Sequence, residues 1–173
     1  MTKLLRVMLA MGVLLGLCAC ANNAPPNEPA TQNTELNGEQ DSLPGYGFVF
    51  QGVELVPGEP FAAEEFPEPQ YSYTQTNSVL GGYDTFYNYV DVEITVHDDG
   101  KSAVIRRVIV ISPDLKTPEG LSLGDSLEQV TKLYGDNNTK DADVWLFSKG
   151  RTALAVLTQD GFVAGIEYRF TNS

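Results

Sequence analysis

Cysteine is confined to the start of the chain: Cys18 and Cys20 are the only two among 173 residues. Everything after Cys20 therefore lacks a disulfide staple and a thiol for nucleophilic or metal chemistry. Histidine occurs once, at His97, and tryptophan once, at Trp145. A single histidine leaves too few ligands for a zinc centre. Basic residues are scarce, 11 Lys and Arg against 23 Asp and Glu, for a net charge of −12. That balance argues against nucleic acid, which needs a basic patch, and against charge-driven adhesion to anionic lipid headgroups. No apolar run reaches the about 20 residues of a membrane-spanning helix.

What the chain does have begins with Lys3 and Arg6, followed by the apolar run "VMLAMGVLLGL", Val7 to Leu17. A basic start and a short apolar run predict a secretory signal over residues 1–19. The run closes in "LCAC". Leu17 at −3, a small Ala19 at −1 and Cys20 resemble a bacterial lipobox, which implies that Cys20 is acylated, palmitate included, and becomes the N-terminus. Cys18 fits less well, because Leu17 would occupy the position that wants a small residue. Without Lys3 and Arg6, 9 basic residues face 23 acidic ones, a net charge of −14. Residues 20–44, rich in Pro, Asn, Gln and Glu, bury too little to offset their ordering entropy and predict a flexible tether. Residues 45–173 are then a single domain.

That domain reads as two copies of one unit, about 45–112 and about 117–173. "GVELVPGEPFAAEEF" and "GLSLGDSLEQVTKLYG" share a glycine, two alternating apolar residues and a Gly-acidic step, Gly58-Glu59 and Gly124-Asp125. Asp99-Gly100 and Asp160-Gly161 each predict a hairpin turn. After them, Ile105, Val108 and Val110 repeat the spacing of Val163, Ile166 and Tyr168. "DSLEQVTKLYG" predicts a helix, with Asp125 and Glu128 as a capping pair, an apolar face of Leu127, Val130, Leu133 and Tyr134, and Gly135 as the stop. "EPFAAEEF" predicts about two helical turns before Pro67, and the segment after it a loop. Strands are predicted at "TFYNY", "VDVEITV", "AVIRRVIVI", 143–148, 152–158 and 162–170. In "VDVEITVH", Val90, Val92, Ile94 and Val96 should face the core, and Asp91, Glu93, Thr95 and His97 should face away from it.

Thr117, Gly120, Leu121, Leu123, Gly124, Asp125, Ser126, Val130, Tyr134 and Gly135 fit the pattern T-x-x-G-I-x-I-G-[DS]-S-x-x-x-V-x-x-x-Y-G. On those residues the chain resembles a group of uncharacterised lipoproteins of Gram-positive bacteria. The helix-then-strands unit is similar to the small lipoprotein of the outer-membrane barrel-assembly machinery. The tandem pair looks like the β-lactamase inhibitory protein. The resemblance implies an α+β fold, two tandem helix-plus-antiparallel-sheet repeats sharing one sheet, and a location on the outer face of a membrane. It carries over no catalytic residues.

Candidate chemistry is thin. "GLSLG" matches the nucleophile-elbow pattern G-x-S-x-G around Ser122, but His97 precedes Ser122 and a hydrolase sheet needs a longer chain. The glycines read instead as turn formers. "DNNTKDAD", 136–143, is oxygen-rich, yet Lys140 breaks the calcium-loop pattern. Glu64-Glu65, Asp98-Asp99 and Asp91 with Glu93 are carboxylate pairs with no sign of the cleft that glycoside hydrolysis requires. Arg106 and Arg107 should point to opposite faces of one strand, one of them against a carboxylate. Aromatics crowd Tyr71, Tyr73, Tyr83, Phe86, Tyr87 and Tyr89, and Trp145 sits with Phe147. Tyr and Trp are common interface anchors.

The expectation is therefore a non-enzymatic protein-binding module. It has no catalytic residues, no metal and no cofactor. Lipid on Cys20 anchors it to the cell membrane, and it meets an unknown extracellular or envelope protein through an open sheet face bearing Tyr83, Asp91, Glu93 and Trp145. An envelope assembly or structural factor is the alternative.

Overall fold

Runs of Val, Ile, Thr and aromatic residues broken by Gly-containing turns favour pleated strands over helix, and strands dominate the fold. The computed structural model describes residues 45–136 and 138–171. Cys20, the expected signal segment and the expected tether lie outside the described residues.

Among the described residues ten strands form: β1 (Phe48–Phe50), β2 (Val53–Leu55), β3 (Tyr71–Thr76), β4 (Tyr83–Asn88), β5 (Val92–Asp98), β6 (Ala103–Val110), β7 (Thr139–Asp141), β8 (Val144–Lys149), β9 (Thr152–Gln159) and β10 (Phe162–Phe170). One α-helix, α1 (Leu127–Tyr134), lies between β6 and β7. β1 and β2 make a separate hairpin. The other strands build one antiparallel sheet in the order β3-β4-β5-β6-β10-β9-β8-β7. Each half is a four-stranded meander, and β6 and β10 join the halves at the centre.

The expected α+β fold of two helix-plus-sheet repeats is overturned, because the first helix is absent and the architecture is mostly β. "EPFAAEEF" supplies only a three-residue 3-10 turn, Ala63–Glu65, whose N-terminus at Ala62 has no side-chain cap. Pro60 and Pro67 bound too short a segment to offset the cost of helix nucleation. The β1–β2 hairpin covers that half of the sheet instead, burying Phe48, Phe50 and Leu55. The supposed loop after Pro67 contains β3.

What does recur is a backbone clip. Gly58 N–H donates to the Ile105 carbonyl at 2.7 Å, and Ile105 N–H to that of Glu59 at 2.9 Å. Gly124 N–H donates to the Val163 carbonyl, and Val163 N–H to that of Asp125, both at 2.8 Å. Directly after each clipped residue the register slips, by Arg106 opposite Thr95/Val96 and by Ala164 opposite Leu157/Thr158. A β-bulge adds one residue. That explains the shared three-then-two spacing: Ile105, Val108 and Val110 are buried, as are Val163, Ile166 and Tyr168.

The core lies on one face of the sheet, where Val92, Ile94, Val96, Val108, Val110, Leu154, Val156, Ile166 and Tyr168 meet the hairpin, Leu121 and Val130 of α1. Val90 is not part of this row; it is exposed in the β4–β5 turn. Tyr89 is buried against Phe50, with ring centroids 5.4 Å apart, and Tyr87 packs on Phe61 at 4.9 Å. The helix cap also differs from expectation. Ser126 is the N-cap, its hydroxyl accepting from Gln129 N–H, while the Asp125 carboxylate accepts from Ser122 N–H at 2.8 Å. The chain enters and leaves at one corner: Tyr46 N–H donates to Thr152 Oγ1, and Thr171 N–H to the Arg151 carbonyl.

Candidate functional site: the second face of the sheet

Antiparallel partners directly opposite one another project to the same side, so the register defines what the second face displays. One row runs Tyr73, Phe86, Thr95, Arg107, Arg169, Ala153 and Ser148 across seven strands. Beside it runs Tyr71, Asn88, Glu93, Ile109, Glu167, Ala155 and Leu146. Among the described residues the hairpin and α1 both contribute to the core on the opposite face.

Three zones follow from these rows. At the β3 end, Tyr71, Tyr73 and Phe86 stack nearly parallel, with centroids 6.5 Å and 4.7 Å apart. Tyr71 and Tyr73 are 55% and 50% exposed although they are large aromatics. Polar pairs cross the middle. His97 Nδ1 lies 2.7 Å from Asp84 Oδ1, Arg107 Nη2 lies 3.4 Å from Glu93 Oε1, and Arg169 forks onto Glu167 at 2.6 and 3.2 Å. Thr95 Oγ1 and Arg107 Nε, both buried, have no hydrogen-bond partner among the described residues. Toward β8 lies a shallow pocket of about 220 Å³ lined by Ile109, Val144, Ala155, Leu157, Gly165, Glu167 and Arg169. Gly165 has no side chain and Ala155 only a methyl, so the larger neighbours become its walls. The volume is below the roughly 300–1,000 Å³ of small-molecule sites and suits a single inserted side chain.

The four residues expected to bind a partner are separated. Glu93 lies on this face. Asp91 lies in the β4–β5 turn, where its carbonyl accepts from Ile111 and Ser112 N–H. Tyr83 is 57% exposed but alternates with Asp84, so it projects from the core side of β4. Trp145 pairs with core-facing Val156 and packs against the core, with Lys140 Nζ 4.9 Å from its ring. Thr95 and His97 do share the face of Glu93, as the alternation requires. The residues that dominate the face, Tyr71, Tyr73, Arg107 and Leu157, needed the register to be found. Tyr-x-Tyr-x-Gln in "YSYTQT" is the period-two signal that marked β3, and the flanking prolines masked it.

The other candidates have structural explanations. Ser122 lies in the turn leading into α1, next to core residue Leu121, and its amide is held by Asp125. His97 projects from the second face onto Asp84, so the pair needed for an elbow is not assembled. Asp98 and Asp99 cap their own turn, Asp99 accepting from Lys101 and Ser102 N–H. Those amide bonds hold the Asp99 carboxyl below its usual range. Residues 139–141 of the oxygen-rich segment form edge strand β7. No group of three or more His, Cys, Asp or Glu could hold a metal ion among the described residues. Arg107 meets Glu93, while Arg106, the bulge residue, lies over the Phe170 ring at 5.1 Å.

Compared with protein-family profiles, curated proteins and solved structures, the chain matches none.

Proposed function

We propose that this protein is a non-enzymatic protein-binding module of the bacterial cell envelope, held to the membrane by lipid on Cys20, and that the second sheet face is its recognition surface. The single observation behind this reading is the row of stacked, half-exposed tyrosines on that face. A solvated sheet face normally alternates to polar residues. Here large aromatics, a charge cluster and an apolar pocket share it. Aromatic anchors beside paired charges with a free buried donor, and a pocket for one side chain, are the parts of a protein interface. The lipobox-like "LCAC" supports the anchor and the extracytoplasmic location.

The test is photo-crosslinking on intact cells from a reactive residue placed at Tyr71, with Tyr83, exposed on the core side of β4, as the control site. A partner captured at Tyr71 and absent at Tyr83 supports the reading. Tyr73→Ala and Leu157→Ala should then weaken capture at least tenfold while the melting temperature stays within a few degrees. Equal capture by wild type and both variants would overturn it.

A further inference from the structure

The two edges of the sheet are not alike. At one edge, β7 has three residues and carries Lys140 and Asp141, the short, charged form that discourages strand addition. At the other, β3 has six residues, all exposed, and no charge. No charged residue occurs between Glu68 and Asp84, in a chain of net charge −12. Asn77 holds the end of this strand in place. Its side chain accepts from Val79 and Leu80 N–H and donates to Asp84, and its own N–H donates to the Gly82 carbonyl at 3.1 Å.

That last bond fixes which backbone groups of β3 are used. Asn77 and Gly82 are a hydrogen-bonded pair in the register that also opposes Gln75 to Asp84 and Tyr73 to Phe86. Hydrogen-bonded pairs alternate along an antiparallel ladder. The N–H and C=O groups of Tyr71, Tyr73 and Gln75 therefore point to β4, and those of Ser72, Thr74 and Thr76 point outward. The outward set is symmetric about Thr74.

We propose that β3 pairs antiparallel with β3 of a second copy of this chain, with Thr74 on the two-fold axis and Ser72 opposite Thr76. The two sheets then become one continuous sheet with both recognition faces on the same side. In this register Tyr73 opposes Gln75 of the second copy, and the two Tyr73 rings are diagonal neighbours within aromatic reach. The Tyr71–Tyr73–Phe86 stack thereby runs across the axis. The absence of charge on β3 removes like-charge repulsion at the contact, which would otherwise oppose self-association of so acidic a chain. A foreign extended segment could use the same edge, but only a second copy brings a second Tyr73 ring beside the first across the axis.

Light scattering on the full-length chain in detergent should give the protein mass of two copies. Thr74→Pro removes an outward N–H together with the Thr74–Thr85 hydroxyl contact, leaves the bonds to β4 in place, and should return a monomer with little change in melting temperature. Thr74→Val, which loses the Thr74–Thr85 hydroxyl contact but keeps the N–H, should remain dimeric. On oxidation Thr74→Cys should form a disulfide-linked dimer by itself. Ser72→Cys and Thr76→Cys should link only when mixed, with the parent chain setting the background from Cys18 and Cys20. A monomeric wild type, a dimer that survives Thr74→Pro, or Thr74→Cys linking no better than Thr139→Cys on the far edge would overturn the proposal. So would Thr74→Cys capturing a different protein in place of its own copy. Dimerisation needs no envelope partner, so this result is independent of whether the recognition face finds one.

Discussion

Single residues divide by what surrounds them, and two glycines make the contrast measurable. Gly82 and Gly124 both have positive φ, +69° and +87°. A Cβ on Gly124 would meet nothing within 4 Å, whereas one on Gly82 would lie 2.1 Å from the Asp98 carbonyl oxygen. Gly124→Ala thus carries only the left-handed penalty, about 1 kcal/mol. Gly82→Ala adds a backbone collision, and its total should exceed about 2 kcal/mol. Urea denaturation of the two variants beside wild type checks the order. Gly124 was legible in the sequence as a turn residue. The crowding at Gly82 was not, because Asp98 comes close only through the β4–β5 pairing.

Elements were legible where their signals are local. α1 follows from apolar residues at helical spacing and from Gly135, and β5, β6, β8, β9 and β10 follow from β-branched runs with Asp-Gly or Gly turns. β1, β2 and β7 are three residues each, too short for alternation to show. The first expected helix failed because acidic residues with an apolar stripe between two prolines look helical over any short window, while the competing hairpin depends on distant core contacts. The cap of α1 was read one residue early. Ser126→Ala should destabilise by about 1 kcal/mol, the usual cost of an N-cap. Glu128→Ala, assigned a capping role by pattern alone, should change stability by less than about half that, measured in the same thermal melts. Equal losses would restore the capping pair. The candidate site was legible in part: the alternation put Glu93, Thr95 and His97 on one face, but joining them to Tyr73 and Leu157 required the strand order, which is a non-local property.

At the scale of the molecule, tyrosine ionisation sets an upper pH limit. Burial raises the phenols of Tyr134 and Tyr168 well above the usual 10.0, and Glu119 opposes ionisation further. Tyr134 donates to Glu119 at 2.8 Å, a bond only the protonated phenol can make. Above about pH 10 the unfolded chain releases these protons and the folded chain keeps them, so the unfolded state binds fewer protons and stability falls as pH rises. Below that pH the contribution is fully present. Melting temperatures between pH 8 and 11 should hold steady and then decline, and Tyr168→Phe should flatten the decline. A drop that begins well below pH 9 would point to other groups.

The corner where Tyr46 meets Thr152 and Thr171 meets Arg151 has a further consequence, for the order in which the chain can be written. Both ends of the domain leave side by side, so covalent continuity between them can be exchanged for a break elsewhere. A short linker from Thr171 to Gly45, with new ends opened between exposed Pro113 and Asp114, would turn the two meanders around in sequence while leaving each strand pair in place. The same corner lets the domain sit inside a host loop as a cassette, with the second sheet face unchanged.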